Sequence, residues 1–266
     1  PGAMFGLALI VLLVLTAVGA DLLAAQDIDE QDLRKGLLAP GGEFPLGTDE
    51  FGRDMLSRII HGSRVSLLVG IVAMGVSVTT GVTLGAIAGY FGGRIDYIIQ
   101  GLVDISWAFP TILMAIFLVA VLGPGLGNVM IAVGLVYWGG FARVVRGQVL
   151  SLREWEFVLS ARAIGTTDWR IMLRHILPNT LSPVIVMATL MMADAIIIEA
   201  TLSFLGMGAQ PPTPSWGSIL ASGRSYLMLA PWVMLFPGIA IMLTVLGFNL
   251  LGDGLRDALD PRLKNL

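Results

Sequence analysis

Three carboxylates, Asp104, Asp194 and Glu199, stand inside long apolar stretches of this 266-residue sequence. Placing a carboxylate against lipid is costly, so each of these groups must face protein or water. Such a group can attract a cation or the amino terminus of a peptide, or it can accept a structural hydrogen bond. Asp194 and Glu199 would point about 140° apart on a helix and cannot share one neighbour. We expect each of the three either to line a transport path or to hold a neighbouring helix.

Motifs for other kinds of chemistry are missing from the sequence. The only lysines are Lys35 and Lys264, and no G-x-x-x-x-G-K-[ST] run occurs, so the chain cannot bind ATP through a P-loop of its own. There is no cysteine, no H-E-x-x-H motif, and only two histidines, which argues against a metal site. We expect a chain that is not an enzyme and binds neither metal nor cofactor. A formal net charge of -3 does not indicate nucleic acid as a partner.

The composition predicts the setting of these carboxylates. Hydrophobic residues make up 56% of the chain and charged residues only 13%, which is typical of a polytopic membrane protein. The sequence therefore predicts an all-α fold of six transmembrane helices. The predicted spans are Met4–Ala20, Val65–Phe91, Ile95–Leu122, Leu126–Ala142 with a continuation into the following arginines, Thr180–Met207 and Ala230–Leu251.

Several of these spans carry further signals. The first run also has the length of a signal-peptide core, but no basic segment precedes it, and the start at Pro1 suggests that an N-terminal piece is missing. In the second span, glycines at positions 81, 85 and 89 predict close helix packing, within the chain or with another subunit. Pro110 should kink the third span. Trp107, Phe109 and the methionines Met187, Met191 and Met192 are expected to pack rather than to bind substrate.

The predicted organisation has four parts. Residues 1–20 form the first transmembrane helix, and residues 21–64 form an extracytoplasmic loop. Asp49 is the expected N-cap of an interfacial helix in that loop, whose apolar side comprises Phe51, Met55, Leu56, Ile59 and Ile60. Residues 65–252 form the main transmembrane domain, and residues 253–266 form a cytoplasmic tail.

A polar segment, Arg143–Asn179, interrupts the apolar sequence and carries six of the sixteen basic residues. Phe157, Val158, Ala161 and Ile164 predict an amphipathic helix, Gly165, Thr166 and Thr167 predict a break, and Pro178 is expected to stop a second helix. Loops on the side of this segment and of both termini hold ten of the sixteen basic residues. The positive-inside rule therefore places the segment and both termini in the cytoplasm.

The order of residues in this segment resembles the EAA loop of bacterial ABC importer permeases, which docks into the ATPase subunits. The matching positions are Leu159, Ser160 and Ala161, then Gly165 and Thr166, then Leu177 and Pro178. Leu159 stands where the motif has Glu, and His175 where it has Ile. The resemblance assigns ATPase coupling to Ser160, Ala161, Gly165, Thr166, Leu177 and Pro178.

Longer stretches resemble the second permease subunit of dipeptide, oligopeptide and nickel importers. They are LGTDEFGRDMLSRIIHGSRVSL, AGYFGGRIDYI, RGQVLSLREWEFV, RHILPN, EATLSFLGMGAQPPTPSWGSIL and NLLGDGLRDALDPR. The resemblance implies the type I importer permease fold in the bacterial inner membrane. It also implies a homologous second permease, two cytosolic ATPases that bind ATP and magnesium, and an extracytoplasmic binding protein.

The predicted function is a permease subunit that forms half of the path for small peptides. A nickel importer is the alternative within the family. A secondary transporter driven by protons through the three membrane carboxylates is the alternative from another class, and a purely structural membrane protein is a third.

Overall fold

Helices account for most of residues 2–259, the part of the chain that the computed structural model describes. No β-strand occurs within these residues, so the prediction of an all-α fold is confirmed. A wide π-helical turn, Met172–Ile176, joins the eighth and ninth helices. The helices are α1 (Gly2–Val18), α2 (Ala20–Leu23), α3 (Met55–Phe91), α4 (Gly93–Trp107), α5 (Thr111–Leu122), α6 (Leu126–Leu152), α7 (Glu156–Ala163), α8 (Asp168–Ile171), α9 (Leu177–Phe204), α10 (Trp216–Gly223) and α11 (Trp232–Leu259).

Four helical stretches among the described residues are long and apolar enough to cross a membrane. They are α3, α6, the continuous run Asp168–Phe204 and α11. The pair α4 and α5 makes a fifth if it is counted as one broken span. Helix α1 is apolar but has only 17 residues. The structure thus supports a multi-pass membrane protein with four or five clear spans, and α1 is the remaining candidate for a sixth.

The predicted third span is not one gently kinked helix. Helices α4 and α5 meet at an angle of 96°, with the break between Trp107 and Thr111. Proline supplies no backbone N–H and disfavours helical geometry in the residue before it, so Phe109 and Pro110 interrupt the helix. The expected kink is present, but the bend is sharp enough to turn α4, which carries Asp104, away from the direction of α5.

Helices α3 and α6 form the most intimate pair in the fold. Gly81 faces Phe141, Gly85 faces Ala142, and a Cβ atom built on Gly89 would lie 2.9 Å from the Arg146 carbonyl oxygen. Glycines four residues apart let two backbones approach closely. The glycine stripe therefore packs within the chain. The facing positions rise together along both helices, so α3 and α6 run in parallel and end on the same side.

Helix α1 packs on α11 in the opposite sense. Gly6 faces Gly247, and Gly254 near the end of α11 faces Ala3 near the start of α1. A cleft between Gln148, Asn179 and Arg256 brings the end of α6, the start of α9 and the end of α11 together. We call this side the arginine end.

The opposite end is closed by the beginnings of α3 and α11 together with α10. Met55, Ile219 and Val233 are buried in one apolar cluster there. Trp216 of α10 donates its indole N–H to the Ile59 carbonyl oxygen at 2.9 Å. A Cβ atom on Gly62 would meet the Trp216 ring, so this glycine allows α10 to lie against α3.

The expected interfacial helix with Asp49 as its N-cap is wrong. The N-cap is Asp54, whose carboxylate accepts from the Ser57 N–H at 2.8 Å, and α3 then continues for 37 residues without a break. Nothing between Ile60 and Val65 interrupts helical geometry, so the amphipathic turns belong to the spanning helix. Asp49 instead accepts from the backbone N–H groups of Phe51 and Arg53 in the preceding turn.

Candidate functional site

A helical hairpin, residues 156–176, lies at the arginine end between α6 and α9. Helix α7 ends in a Schellman arrangement: Thr166 N–H donates to the Ala161 carbonyl oxygen at 3.1 Å, and Gly165 N–H to the Arg162 carbonyl oxygen at 3.0 Å. Gly165 has a φ of +79°, a left-handed conformation that glycine adopts without steric cost. The sequence at Gly165 therefore fixes the reversal between α7 and α8.

The second arm of the hairpin does not stop at Pro178. The π-helical turn Met172–Ile176 leads directly into α9, and Pro178 lies in the first turn of that helix. Proline lacks an N–H and its ring crowds the carbonyl four residues earlier, a conflict that a wider turn can relieve. Asn179 donates its side-chain N–H to the His175 carbonyl oxygen at 2.6 Å. The hairpin is thus joined to the spanning part of α9 by helix rather than by a loose linker.

Side-chain contacts also tie the hairpin, and Arg153 just before it, to the end of α3. Tyr90 donates its hydroxyl to Asp168 Oδ1 at 2.6 Å, and Arg153 Nη1 donates to the Gly89 carbonyl oxygen at 3.2 Å. The rings of Phe91 and Trp169 meet edge to face at 5.8 Å. Sequence reasoning missed these contacts because their partners are far apart in the chain and no local pattern links them.

The hairpin has a buried face and an exposed apolar face. Val158, Ala161, Ile171, Met172 and Ile176 are buried against the helices. The expected amphipathic pattern is only partly right, because Phe157 and Ile164 face outward. The exposed apolar side chains of the hairpin are Phe157, Leu159, Ile164, Trp169 and Leu173.

The residues assigned to ATPase coupling divide between the two faces. Ser160, Gly165 and Pro178 are exposed, Thr166 and Leu177 are partly buried, and Ala161 is buried. The exposed members share the outer surface with the apolar side chains. An exposed apolar surface of this kind is suited to contact with a protein partner.

Asp104 lies beside a cleft of about 470 Å³ between α4, α6 and α9. Its Oδ1 accepts from Arg143 Nη2 at 2.6 Å, and the Arg143 guanidinium lies 4.0 Å above the Trp107 ring. Arg143, in the predicted continuation of the fourth span, is thus paired with a carboxylate at this cleft. The side chains that line the cleft include Ser106, Trp107, Phe109, Tyr137, Arg143, Met187 and Met191.

The expectation of packing is met by the methionines Met187, Met191 and Met192, which contact the main core, but not by the two aromatic residues. Trp107 and Phe109 are more than half exposed. Met187 and Met191 pack against the main core and also line the cleft. Their arrangement offers an apolar wall beside one cation and one anion, which suits a ligand with both apolar and charged groups.

Asp194 and Glu199 face different surroundings, as their spacing predicts. Asp194 is exposed on α9. Glu199 is fully buried, and its Oε1 accepts from Ser203 Oγ at 2.6 Å. Ser203 Oγ also accepts from the Ala209 N–H at 3.3 Å, so this pair fastens the loop that follows α9. Asp104 meets the cleft through its partner Arg143, and Glu199 makes a structural hydrogen bond.

Comparison with protein families gives two matches. Residues 81–265 match the family described as binding-protein-dependent transport system inner membrane component. Residues 1–40 match the N-terminal transmembrane domain of oligopeptide transport permease C. Together the two matches include α1, most of the helical core and the hairpin.

Curated relatives cover almost the whole chain. A dipeptide transport system permease protein of Alkalihalophilus pseudofirmus is 49% identical over 99% of this chain and 86% of its own length. A di/tripeptide transport system permease protein of Pseudomonas aeruginosa is 46% identical over 99% of this chain and 89% of its own length. A glutathione transport system permease protein of Pectobacterium atrosepticum is 46% identical over 96% of this chain and 85% of its own length.

Among solved structures, the fold is similar to a chain of the MetNI methionine ABC transporter in its inward-facing conformation. The TM-score is 0.62 at 19% identity, over 77% of this chain and 98% of the other. At this identity the likeness concerns the fold alone.

Proposed function

This chain belongs to the family of binding-protein-dependent transport system inner membrane components, and we propose that it forms half of the path through which an ATP-driven importer takes up small peptides. It is a multi-pass permease subunit of the inner membrane and has no catalytic role. The observation that carries the proposal is the hairpin, residues 156–176, which exposes apolar side chains at the arginine end of a chain that lacks a nucleotide motif. A partner must therefore supply the ATP hydrolysis.

Peptides are the substrate class that the relatives favour. Their names refer to dipeptides, di- and tripeptides and glutathione, which is itself a peptide. None of these names supports nickel as the substrate. The membership of an ABC importer family also argues against a secondary transporter driven by protons. The cleft beside Asp104 and Arg143 supports a peptide because it combines charges of both signs with apolar walls.

The proposed topology has six spans, with α1 as the first and the bent pair α4–α5 as the third. The parallel direction of α3 and α6 and the antiparallel packing of α1 on α11 support this alternation. Both termini and the hairpin would then lie in the cytoplasm at the arginine end. The proposed parts are residues 1–20, the extracytoplasmic loop 21–64, the transmembrane domain 65–252 with the coupling segment 143–179, and the tail 253–266, of which residues 260–266 lie outside the described residues.

The proposed role of the hairpin is to dock into a cytosolic ATPase. Ser160, Gly165 and Pro178 would contact that partner together with the exposed Leu159 and Ile164. Ala161, Thr166 and Leu177 would hold the shape of the hairpin. Because the α8 arm continues into α9 and also contacts the end of α3 through Asp168 and Trp169, movement of the ATPases would move both helices as packed bodies.

The proposed complex contains further subunits. A homologous permease would complete the path, two ATPases would bind ATP and magnesium, and a binding protein would deliver the peptide. Asp104 is the proposed path residue of this chain. Asp194 remains a proposed path residue because it is exposed on α9, whereas the burial of Glu199 supports a structural role.

The test is uptake by the whole complex in proteoliposomes with purified binding protein. We expect labelled dialanine to accumulate only when ATP is present and the ATPases are active. Inactivating both ATPases should abolish uptake, whereas dissipating the proton gradient should not. Uptake that persists without ATPase activity and is lost with an uncoupler would contradict the proposal, and uptake of nickel instead of dialanine would change the substrate.

A further inference from the structure

A second cavity, of about 330 Å³, lies at the opposite end of the molecule from the hairpin. It is bounded by the turn before α3, the first turns of α3, the loop after α9 and α10. Its polar lining is formed by Gln31, Glu50, Arg53, Arg58, Thr213, Ser218 and Ser222. Its volume is at the lower end of the range for sites that hold small molecules.

Charged residues in this cavity are buried or partly buried, and some of their buried atoms lack a hydrogen-bond partner. Arg58 is only 6% exposed, and its Nε has no hydrogen-bond partner among the described residues. Glu50 Oε2 is likewise buried without a partner. Buried charged groups are normally paired and hydrogen-bonded because desolvation penalises them otherwise. One cavity therefore contains an unused N–H donor on Arg58 and an unused acceptor oxygen on Glu50.

The neighbouring charged residues do not supply the missing hydrogen bonds of Arg58 Nε and Glu50 Oε2. Asp49 serves both arginines: its Oδ2 lies 2.7 Å from Arg53 Nε and 3.5 Å from Arg58 Nε. Glu50 reaches Arg53 only at 4.0 Å. Burial raises the pKa of the Glu50 carboxyl, and the adjacent Asp49 charge acts in the same direction. The two arginines can donate hydrogen bonds to a further carboxylate, and Glu50 can accept a hydrogen bond from a further N–H group.

We propose that this cavity binds a short peptide as a zwitterion, with the peptide carboxylate on Arg58 and the peptide ammonium on Glu50. A guanidinium can bind a carboxylate through two parallel hydrogen bonds, and an ammonium supplies donors for the carboxylate. A single charged side chain of a docking protein would satisfy only one of the two groups. Phe51 and Pro211 supply an apolar wall against which small side chains can lie.

This inference rests on the proposed function, which supplies peptides at this face. In the proposed topology the cavity lies on the extracytoplasmic side and is distinct from the cleft at Asp104. A peptide released by the binding protein would meet this site before it enters the path. The site would therefore favour peptides whose two ends are both free.

The test measures equilibrium binding of labelled dialanine to the complex of both permeases and the ATPases in nanodiscs, without binding protein. The comparison probes are N-acetyl-dialanine and dialanine amide. We expect each cap to weaken binding at least tenfold. In Glu50→Gln, dialanine and N-acetyl-dialanine should bind equally, whereas dialanine amide should still bind more weakly than dialanine. Arg58→Lys should weaken the binding of dialanine at least tenfold. The control is Glu43→Gln, in the exposed pair with Lys35 on the same loop, which should bind as the unaltered complex does.

Several results would overturn the inference. Equal binding of capped and free peptides would contradict it, and so would unchanged discrimination in Glu50→Gln. Loss of discrimination in Asp104→Asn but not in Glu50→Gln would place the site in the other cleft. Binding that requires the binding protein would make the cavity a protein docking site. If the complex imports dialanine but does not bind it in this assay, the inference alone fails; if it imports no peptide, the proposed function fails as well.

Discussion

At the scale of residues, a few side-chain pairs connect parts of the chain that are distant in sequence. Tyr90 and Asp168 are 78 positions apart, and Asp104 and Arg143 are 39 positions apart. The first pair fastens the hairpin to α3, and the second places opposite charges beside an aromatic cleft. Each pair can be removed by a small change that leaves the helices intact.

Tyr90→Phe removes only the hydroxyl that donates to Asp168. A hydrogen bond to a charged acceptor contributes about 2 kcal/mol, so the hairpin should be held less firmly against α3. We expect peptide uptake per ATP hydrolysed to fall several-fold while the complex still assembles. Parallel assays of uptake and ATPase activity measure this ratio. Tyr97→Phe, at an exposed position of α4, is the matched control, and an equal loss of coupling there would refute the assignment.

Asp104→Asn removes the negative partner of Arg143 at the cleft. The pair is exposed, and exposed ion pairs contribute only about 0–1 kcal/mol to stability, so the melting temperature of the complex should hardly change. We expect the apparent KM for dialanine uptake to rise severalfold, because a charge that faces the peptide is lost. Glu43→Gln should leave the KM unchanged. A large fall in melting temperature together with an unchanged KM would make Asp104 a structural residue.

At the scale of elements, the fold relies on two devices made by glycine. The stripe in α3 lets α6 approach along its length, and Gly165 reverses the chain between α7 and α8. The two features are connected through α3. The hairpin contacts the end of α3, and α3 packs along α6.

Gly85→Ala should separate α3 from α6. The added Cβ atom would overlap with the backbone of Ala142, which cannot move without shifting the helix. Overpacking of this kind costs about 2 kcal/mol, and we expect a lower melting temperature of the purified complex. Gly75→Ala in the same helix meets no atom within 4 Å and should be neutral or stabilising, because alanine favours helix more than glycine does. Equal effects of the two changes would contradict close packing at Gly85.

Gly165→Pro should preserve membrane insertion yet abolish transport. Proline cannot adopt a φ of +79°, and it would remove the N–H that donates to Arg162. The hairpin would lose its shape, so we expect uptake and its coupled ATP hydrolysis to disappear. Gly165→Asn is the control, because asparagine tolerates the left-handed conformation, and it should retain most activity. Normal uptake by the proline variant would remove the coupling role of the hairpin.

At the scale of the whole molecule, the two ends have different characters. The arginine end carries the hairpin and the ends of α3, α6 and α11. The opposite end carries α10, the cavity beside Glu50 and Arg58, and the buried start of α3. This division supports one cytoplasmic and one extracytoplasmic face.

Single cysteines should report these faces directly, because the chain has no cysteine of its own. Ile164→Cys, in the hairpin, should react with a membrane-impermeant maleimide only in inside-out vesicles. Met228→Cys, fully exposed before α11, should react only in intact, right-side-out preparations. The physical reason is that the positive-inside rule retains the arginine-rich segment in the cytoplasm. Labelling of both positions from one side would contradict the proposed topology.

The sequence alone determined those features that depend on local composition and spacing. Apolar runs specified the membrane helices, the glycine stripe specified close packing, and Gly165 specified the reversal in the hairpin. The missing P-loop predicts that a partner binds the ATP. These signals need only residues that are near one another in the chain. The family motifs were likewise readable from consecutive residues.

The tertiary structure decided which distant groups meet. It paired Asp104 with Arg143, buried Glu199 against Ser203 and joined Tyr90 to Asp168. It also set the bend of 96° between α4 and α5 and carried the second hairpin arm through Pro178 into α9. These outcomes depend on packing between helices, where a polar group in the membrane takes whichever partner the fold brings within reach. Local periodicity does not encode that choice, which is why three similar carboxylates in the sequence have three different surroundings in the fold.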